Sequence, residues 1–281
     1  MKKLDHHEGY FRSHDHHRLY YQRWQAADKS SKKPVLIFVH GVNEHSGRYQ
    51  NPVSYFAPQG FAVYVFDHRG HGRSDGLRSF VEDFDHYMKD LDEFVSHVMS
   101  EQKDRPVFMI GHSLGGQIVL NYISLFKHGL AGAIVSSPNV KIAIKVPPLK
   151  KWLAMKLATF APTIALANEL DPKWICRDTE VVRNYKRDPL VSKKTTLKLI
   201  TEMFKNQERI LGLAKRIKVP LFVMHAGDDH ITSPDASREF YELVPGKNKK
   251  LKIYEGFYHE LFNEIGKEEV FKDMQAWIEE H

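Results

Sequence analysis

The sequence predicts an α/β protein in which a mostly parallel sheet is covered by helices on both faces. Short apolar runs rich in β-branched residues alternate along the chain with longer segments of helical periodicity. This alternation is typical of parallel sheets, because each crossover helix lies on one face of the sheet. At 281 residues, with 42% hydrophobic and 27% charged residues, the chain can bury one large core. We therefore expect a single domain.

The first third of the chain predicts a hairpin, two buried strands and a long helix. Residues 8–13 and 18–24 alternate in polarity around a polar break, which is the pattern of a β-hairpin. Residues 35–39 and 62–66 are fully apolar, as strands buried on both faces are. Residues from about 82 to 102 carry apolar side chains at helical spacing, which predicts a helix.

Five histidines lie in and before the predicted hairpin turn, at positions 6, 7, 14, 16 and 17. Histidine is a common metal ligand, but a hairpin tip does not readily surround an ion. We interpret these five residues as solvated turn residues. The sequence therefore predicts neither a metal site nor a cofactor.

Residues 106–126 carry the strongest functional signal of the sequence. An apolar, strand-like run is followed by Gly111-His112-Ser113-Leu114-Gly115, a match to G-x-S-x-G, and then by an apolar helical run. This pattern places a serine on a strained turn between strand and helix, where larger residues two positions away would collide with neighbouring backbone. The following helix N-terminus favours developing negative charge. We therefore predict that Ser113 is a nucleophile.

The same stretch could be mistaken for a membrane span, because its 21 residues include no Lys, Arg, Asp or Glu. Its three glycines, histidine and serine favour the strand, turn and helix instead. The N-terminal residues lack the apolar region of a signal peptide, and a single cysteine, Cys176, allows no internal disulfide. We therefore expect a cytoplasmic protein. A net charge of +6 suggests anionic partners, but no nucleic-acid-binding motif accompanies it.

The second half of the chain predicts three further strands and a C-terminal helix. The strands are expected at 133–136, 221–225 and 251–254, and the helix at about 267–279. Each strand is short and apolar, and each is followed by a loop rich in polar residues. Because the carboxyl ends of parallel strands meet at one edge of a sheet, these loops are expected to converge there.

A long insertion separates two of these strands. The stretch from Pro138 to about Ile217 contains no buried-type strand, and most of it has helical character. An insertion on the carboxyl side of a parallel sheet, where ligands bind, is typical of a lid. We name residues 139–217 the cap segment, and expect the core of the domain to comprise residues 1–138 and 218–281.

A serine nucleophile needs a base that takes its proton and a carboxylate that orients the base. In sheets of this kind the chain order is serine, acid, histidine, each on a loop after a strand. Asp228 and Asp229 follow the strand at 221–225, and His259 follows the strand at 251–254. Of the 17 histidines, His259 alone lies in the loop after the last strand, so we predict it as the base. Spacing leaves Asp228 and Asp229 both open as the acid.

Two backbone N–H groups are predicted to stabilise the oxyanion of the tetrahedral intermediate. One belongs to Leu114, which follows the nucleophile. The other lies in the loop after the first central strand, His40-Gly41-Val42, where Val42 is the predicted donor. Loss of one such donor typically costs about 2.7–4 kcal/mol of transition-state stabilisation.

Nearly the whole chain resembles the monoglyceride lipase and lysophospholipase group of serine α/β-hydrolases. The matching stretches are HGVNEHSGRY (40–49), DHRGHGRSDG (67–76), GHSLGG (111–116), RDPL (187–190), GDDHI (227–231) and KIYEGFYHELFNE (252–264). Together these stretches are specific, whereas hydrolases of this fold in general share the serine turn and looser versions of the others. The resemblance implies the α/β-hydrolase fold, with a mostly parallel eight-stranded sheet, helices on both faces and a helical cap insertion.

The resemblance also assigns individual residues. The acid of the family precedes the pair that matches His230-Ile231, so the resemblance selects Asp229. It implies that Glu44 and Arg48 line a polar exit for a glycerol head group, with a surface ion pair as the alternative. Mammalian monoglyceride lipases have a second histidine three positions after the catalytic one, where this chain has Phe262. This difference widens the expected substrates toward other single-chain esters.

The cap segment contains a basic, amphipathic stretch. Residues 139–168 hold lysines at positions 141, 145, 150, 151 and 156 and no acidic residue. An apolar stripe at helical spacing is formed by Leu153, Leu157, Phe160 and Ile164. Such a helix suits an anionic membrane surface, at roughly 1 kcal/mol per lysine near it. The alternative is that the stripe packs within the cap and the lysines are solvated.

We therefore predict a serine hydrolase without a cofactor that cleaves the ester bond of monoacylglycerols or lysophospholipids and releases a fatty acid. Its partners would be the lipid ester and, through the cap, the surface of an anionic membrane. A carboxylesterase for short, water-soluble esters would have the same catalytic residues and a different cap. A non-hydrolytic receptor on the same fold is the alternative of another class, and the complete catalytic set argues against it.

Overall fold

The computed structural model describes residues 4–27, 31–127, 129–144, 146–168 and 170–281. Its ten strands are β1 (Leu4–Arg12), β2 (Arg18–Ala26), β3 (Val35–Val39), β4 (Ala62–Phe66), β5 (Val107–His112), β6 (Gly132–Ser136), β7 (Ala165–Ala167), β8 (Lys194–Thr196), β9 (Leu221–Ala226) and β10 (Lys249–Tyr254). Its eight α-helices are α1 (Gln50–Phe56), α2 (Asp85–Glu101), α3 (Leu114–Leu125), α4 (Pro148–Phe160), α5 (Thr179–Arg187), α6 (Leu197–Leu213), α7 (Pro234–Leu243) and α8 (Lys267–Glu279). The strands and helices predicted for the core are all found within a few residues of the expected bounds.

Eight of the strands form one sheet in the order β1-β2-β4-β3-β5-β6-β9-β10. The hairpin strand β1 pairs antiparallel with β2, and β2 pairs antiparallel with β4. All later neighbours in the sheet are parallel. The predicted mostly parallel, eight-stranded sheet is therefore confirmed.

Two apolar layers cover the two faces of the sheet. Val35, Ile37 and Val39 of β3 pack in the layer that α2, α3 and α7 contribute to. Leu36 and Phe38 point to the other face, into the layer formed with α1 and α8. Because successive residues of a strand face opposite sides, a strand covered on both faces must be apolar throughout. This is why the sequence shows unbroken apolar runs at β3, β4 and β5.

The cap segment lies between β6 and β9 and is mostly helical, as the sequence indicates. Its two strands, β7 and β8, are three residues each and pair antiparallel. The predicted apolar stripe is helical from Leu153 to Phe160, but its extension to Ile164 is wrong. Helix α4 ends at Phe160 because Pro162 disfavours the helical conformation for the residue before it, and Ala161 has φ −137° and ψ 61°. Of the five lysines, Lys145 lies outside the described residues.

The predicted N-terminal hairpin is also confirmed, and its tip is fixed to the core. The guanidinium of Arg69 binds Asp15 at the tip and Asp90 of α2, with N–O distances of 2.8 and 2.6 Å. The positive charge thus lies between two carboxylates.

Along the described ranges, no helix is long and apolar enough to cross a membrane. The uncharged stretch at 106–126 forms β5, a turn and α3, as predicted.

Candidate active site

Ser113 lies on the turn between β5 and α3, at the carboxyl edge of the sheet. Its backbone has φ 53° and ψ −116°, a conformation that residues other than glycine rarely adopt. A methyl group on Gly115 would collide with the backbone carbonyl of Val39, and one on Gly111 would lie 2.5 Å from the Gly115 carbonyl oxygen. The two glycines therefore permit a turn that holds the serine between strand and helix.

Asp229 and His259 are brought together from the loops that follow β9 and β10. The Nδ1 atom of His259 lies 2.7 Å from Oδ2 of Asp229, and both side chains are buried. Asp228 is exposed and its backbone N–H donates to the carbonyl of Phe257. The two adjacent carboxylates that the spacing leaves open thus have different surroundings, and Asp229 is the one in contact with the histidine.

The Asp229 carboxylate is surrounded by hydrogen-bond donors. Its Oδ1 accepts from the backbone N–H groups of Ile231 and Thr232 at 2.8 and 3.0 Å, and its Oδ2 accepts from the Thr232 hydroxyl at 2.9 Å. Burial alone would raise the pKa of Asp229, but the neighbouring His259 and His225, through their charge and their hydrogen bonds to the carboxylate, hold it well below its ordinary value. Asp229 is therefore an anion that faces the histidine.

The contact between Asp229 and His259 shifts the pKa of the histidine in the opposite direction, upward. Burial would lower its pKa, but the adjacent Asp229 carboxylate outweighs burial and raises the pKa above 6.5. Glu260 and Glu44 add to the increase. The ring of His112 lies with its centroid 4.7 Å from that of His259, and burial lowers the pKa of His112 to about 3. The neutral His112 thus lies beside a histidine that readily carries a proton.

Ser113 is near this pair but is not yet hydrogen-bonded to it. Its neighbour His112 contacts the His259 ring, and Ser113 itself is 7% exposed. Within the ranges that the structure describes, Oγ of Ser113 forms no hydrogen bond of 3.5 Å or shorter. In serine hydrolases without a substrate, such bonds are often long and tighten only in the complex.

The two segments that carry the predicted oxyanion donors both lie next to Ser113. Leu114 is the first residue of α3, where backbone N–H groups have no acceptor within the helix. The loop after β3 passes close by, since a methyl group on Gly41 would lie 3.3 Å from the Cβ atom of Ser113. Val42 is the next residue of this loop.

Asn43 fixes the same loop to the cap segment. It adopts a positive φ of 63°, and its side chain accepts from the Ser79 hydroxyl at 2.6 Å and donates to Thr195 of β8 at 2.7 Å. Its backbone carbonyl accepts from the N–H of Ser192 at 3.0 Å. The backbone directly after Val42 is therefore held by the core through Ser79 and by the cap segment through Ser192 and Thr195.

Glu44 and Arg48, the predicted head-group residues, form an ion pair, but a buried one. Arg48 donates to Glu44 at 2.8 Å and binds Glu260 through two bonds of 2.7 Å. Glu44 in turn accepts from the backbone N–H of Gly41 at 2.6 Å and from the Tyr49 hydroxyl at 3.1 Å. A continuous set of hydrogen bonds therefore links the loop that carries Val42 to the residue that follows His259.

The two carboxylates on Arg48 have pKa values that move in opposite directions. Burial raises the pKa of Glu44, and Arg48 only partly offsets this. Burial would also raise the pKa of Glu260, but its two bonds from Arg48 lower it below the ordinary value. Of the two carboxylates that Arg48 contacts, Glu260 is therefore the more firmly ionised.

A small cavity of about 10 Å³ borders this ion pair and is also lined by His112 and Phe262. Phe262 is buried, and its ring packs edge-to-face on Phe38 at 5.8 Å. The position that carries a histidine in the mammalian enzymes is therefore part of the apolar core here.

Sequence reasoning missed three residues of this site. Glu260 and Thr232 contact the predicted residues directly, and buried His225 lies 3.2 Å from Asp229. The signal for Glu260 was its place directly after the predicted base. His225 is the penultimate residue of the strand that leads into Asp229, where a histidine in an otherwise apolar run is unusual.

Comparisons with known proteins agree with the predicted resemblance. Residues 30–266 match the family described as serine aminopeptidase, S33. A monoacylglycerol lipase of Mycolicibacterium smegmatis is 32% identical, over 94% of this chain and 94% of its own length. An uncharacterized abhydrolase domain-containing protein of Dictyostelium discoideum is 40% identical over 88% of this chain, which spans 27% of that protein.

A solved structure extends the likeness to three dimensions. The crystal structure of Paleococcus ferrophilus monoacylglycerol lipase has a TM-score of 0.82 and 33% sequence identity, covering 92% of this chain and 98% of its own. The predicted α/β-hydrolase fold and the predicted resemblance are thereby confirmed.

Proposed function

Because this chain belongs to the serine aminopeptidase S33 family and is a serine ester hydrolase, we propose that it releases the fatty acid from monoacylglycerols or lysophospholipids. Two of the similar proteins are monoacylglycerol lipases. The observation that carries the proposal is the 2.7 Å contact of Asp229 with His259, formed beside the serine turn at the carboxyl edge of the sheet. This is the pairing that activates a serine for attack on an ester.

The proposed reaction begins when Oγ of Ser113 attacks the ester carbonyl carbon and His259 takes the hydroxyl proton. Asp229 stabilises the imidazolium that forms and keeps its ring oriented. The backbone N–H groups of Val42 and Leu114 bind the oxyanion of the tetrahedral intermediate. When the intermediate collapses, the proton on His259 goes to the departing glycerol oxygen, which leaves an acyl-serine ester.

Water completes the cycle by the same groups. His259 takes a proton from water as the oxygen attacks the acyl-serine, and returns it to Ser113 as the fatty acid leaves. The base must be neutral to accept a proton, and Asp229 raises the pKa of His259 above 6.5. Activity is therefore expected to fall as the pH decreases through that raised pKa.

Glu44 and Arg48 are proposed to border the head group from within the site. Support comes from their position beside His112, which adjoins Ser113. Because Arg48 is already engaged by two carboxylates, we expect it to orient Glu44 and the loop that carries Val42 rather than to bind the head group through free N–H groups. Phe262 leaves this pocket less polar than a second histidine would.

The cap is proposed to contact the surface of an anionic membrane through α4. Large apolar side chains on this helix are exposed, with Leu149 at 67%, Leu153 at 52% and Phe160 at 85%. Such exposure argues against the alternative in which the stripe packs within the cap. Lys150 and Lys156 are exposed on the same helix, and their charges suit anionic lipid.

The proposed function is tested by a substrate profile of the purified protein. We expect kcat/KM to be highest on 1-monooleoylglycerol or on an oleoyl lysophospholipid, and the Ser113→Ala protein to be the matched inactive control. A profile confined to p-nitrophenyl acetate and similar short esters, with no turnover of the long-chain substrates, would contradict the proposal. The carboxylesterase alternative would then be the better account.

A further inference from the structure

We infer that His225 is a positioning residue that holds the Asp229 carboxylate in place for His259. His225 is the fifth residue of β9 and is fully buried, with 0% of its surface exposed. Its Nε2 atom lies 3.2 Å from Oδ2 of Asp229, the oxygen that also contacts Nδ1 of His259 at 2.7 Å. Two histidines therefore share one carboxylate oxygen. The inference rests on the proposed function, since it requires Asp229 to be the acid.

The surroundings of the His225 ring identify which nitrogen carries a proton. Nε2 faces two acceptors, the Asp229 carboxylate at 3.2 Å and the backbone carbonyl of Thr232 at 3.3 Å. Nδ1 lies 2.7 Å from the hydroxyl of Ser237, which can donate or accept. In either charge state of the ring, Nε2 is therefore protonated and its N–H is shared between the carboxylate and the carbonyl.

His225 differs from the other donors to Asp229 in where it is anchored. The N–H groups of Ile231 and Thr232 belong to the same loop as Asp229, and would move with it. His225 belongs to β9, which is paired on both sides within the sheet, and Ser237 belongs to α7. His225 thus joins the acid directly to a strand of the sheet.

This anchoring matters because the orientation of the base depends on the position of one carboxylate oxygen. A shift of about 1 Å in a catalytic group can lower the rate roughly 10²-fold. A donor to Oδ2 from the sheet restricts such a shift. It also takes part of the negative charge of the carboxylate, so that less of it acts on His259.

The test compares His225→Leu with His225→Gln in the full-length protein. Leucine removes both ring nitrogens, whereas the side-chain amide of glutamine can place an N–H near the position of Nε2. On 1-monooleoylglycerol we expect His225→Leu to lower kcat by roughly 10–10²-fold with little change in KM. We expect His225→Gln to recover most of the wild-type kcat.

The pH profile provides a readout that loss of packing alone would not move. The titratable groups that face His259 are Asp229, Glu260, Glu44 and His112. All four remain in both variants. Because His225→Leu leaves more of the Asp229 charge acting on His259, the acidic limb of kcat/KM should move to higher pH. In His225→Gln it should lie near its wild-type position.

Further variants keep the test decisive if His225→Leu folds poorly. Ser237→Ala removes the hydroxyl that holds the ring through Nδ1, so the ring is less firmly oriented and kcat should fall severalfold, whereas Ser237→Thr keeps a hydroxyl and should retain activity. The inference is overturned if the wild-type kcat and pH profile persist in His225→Leu while Asp229→Asn is inactive. It is also overturned if the leucine and glutamine variants lose activity equally and in step with their thermal midpoints. Full activity of Asp229→Asn would instead refute the proposed acid.

Discussion

The carboxyl edge of the sheet and helix α4 of the cap treat charge and apolar surface in opposite ways. At the sheet edge, Asp229 and Glu260 are buried, the Arg48 side chain is 9% exposed, and each of the three is bound by several partners. On α4, the large side chains of Leu149 and Phe160 are exposed to solvent. Buried charge and exposed apolar surface are both costly, so each marks a place where packing alone does not decide the sequence.

The two costs correspond to two tasks. Charges held without water in fixed positions can stabilise charge that develops during a reaction, because they need no reorganisation. When a lipid surface covers exposed apolar side chains, the free energy falls by about 25 cal/mol per Å² of apolar area removed from water. The comparison fits our proposal that the sheet edge carries out the chemistry and the cap meets the lipid. Four experiments test that division.

The largest effect is expected for Ser113→Ala. Loss of the nucleophile of a serine triad costs about 10⁶-fold in kcat, so ester hydrolysis should be undetectable. The thermal midpoint should hardly change, because Ser113 lies on a turn and its side chain is not part of the apolar core. Covalent labelling by a fluorophosphonate should disappear in the same variant. Labelling that persists would place the nucleophile elsewhere.

The next largest effect is expected for Asp229→Asn, with Asp228→Asn as the adjacent control. Replacing the orienting carboxylate lowers kcat by roughly 10⁴-fold in a serine triad. Asp228 is exposed, so Asp228→Asn should lower kcat much less. Both variants are compared by kcat on one soluble ester. An equal loss, or a greater loss at Asp228, would reject Asp229 as the acid.

A pair of charge deletions compares the stability of the two regions. Arg48→Met leaves Glu44 and Glu260 buried without their cation, and such a loss typically costs about 3–5 kcal/mol. Lys151→Met breaks the ion pair of Lys151 with Glu208 on the cap, whose N–O distance is 2.8 Å. Both side chains of this pair are at least partly exposed, so the pair is worth about 1 kcal/mol or less. Denaturant unfolding measures both. Similar losses in the free energy of unfolding would show that the charges at the sheet edge contribute no more to stability than the ion pair on the cap.

The smallest expected effect concerns lipid binding by the cap. Replacing Lys141, Lys150 and Lys156 with Gln should weaken binding to anionic vesicles by up to about 3 kcal/mol, at roughly 1 per charge. Lys103, Lys215 and Lys218 precede β5 and β9 at the other edge of the sheet, so their replacement with Gln is the charge-matched control. Vesicle co-sedimentation at low and high salt measures both triple variants.

This experiment also separates the cap from the chemistry. Hydrolysis of a soluble short-chain ester should be the same in the wild type and both triple variants, whereas turnover of monoacylglycerol in vesicles should fall in the cap variant. Failure of the wild-type protein to bind anionic vesicles at low salt would reject the membrane proposal. The cap would then serve as the wall of a pocket.

The sequence was most informative where one local rule decides the structure. The apolar run of β3 and the glycines around Ser113 are each explained by a single requirement, burial on both faces or space for a turn. The places of the Asp228-Asp229 pair after β9 and of His259 after β10 predicted that an acid and the histidine meet, and the resemblance selected Asp229, which makes the contact. Their catalytic roles remain predictions, but their proximity follows from the topology of a parallel sheet.

The sequence was least informative where several distant segments meet. Glu260 reads as an ordinary surface residue, and only the fold brings it to Arg48, which lies far away in the chain. His225 was passed over because it precedes the last strand, although burial and proximity to Asp229 set it apart. The helical spacing that reached Ile164 failed for a local reason, the proline at position 162. Tertiary contacts of single polar residues are not encoded in a local pattern.

Asn43 makes β8 the part of the cap that is held to the core. Through Thr195 it fastens β8 to the loop of Val42, and the neighbouring Thr196 binds the carbonyl of Ser79. Helix α4 is linked to α6 by the partly exposed pair of Lys151 and Glu208. The segment after α4 is held as well, since the N–H groups of Leu197 and Lys198 donate to the carbonyls of Ile164 and Pro162. We therefore expect β8 to keep its place if α4 moves when lipid binds. The oxyanion loop would then keep its shape throughout substrate capture and product release, and lid motion would gate access without switching the catalytic groups on or off.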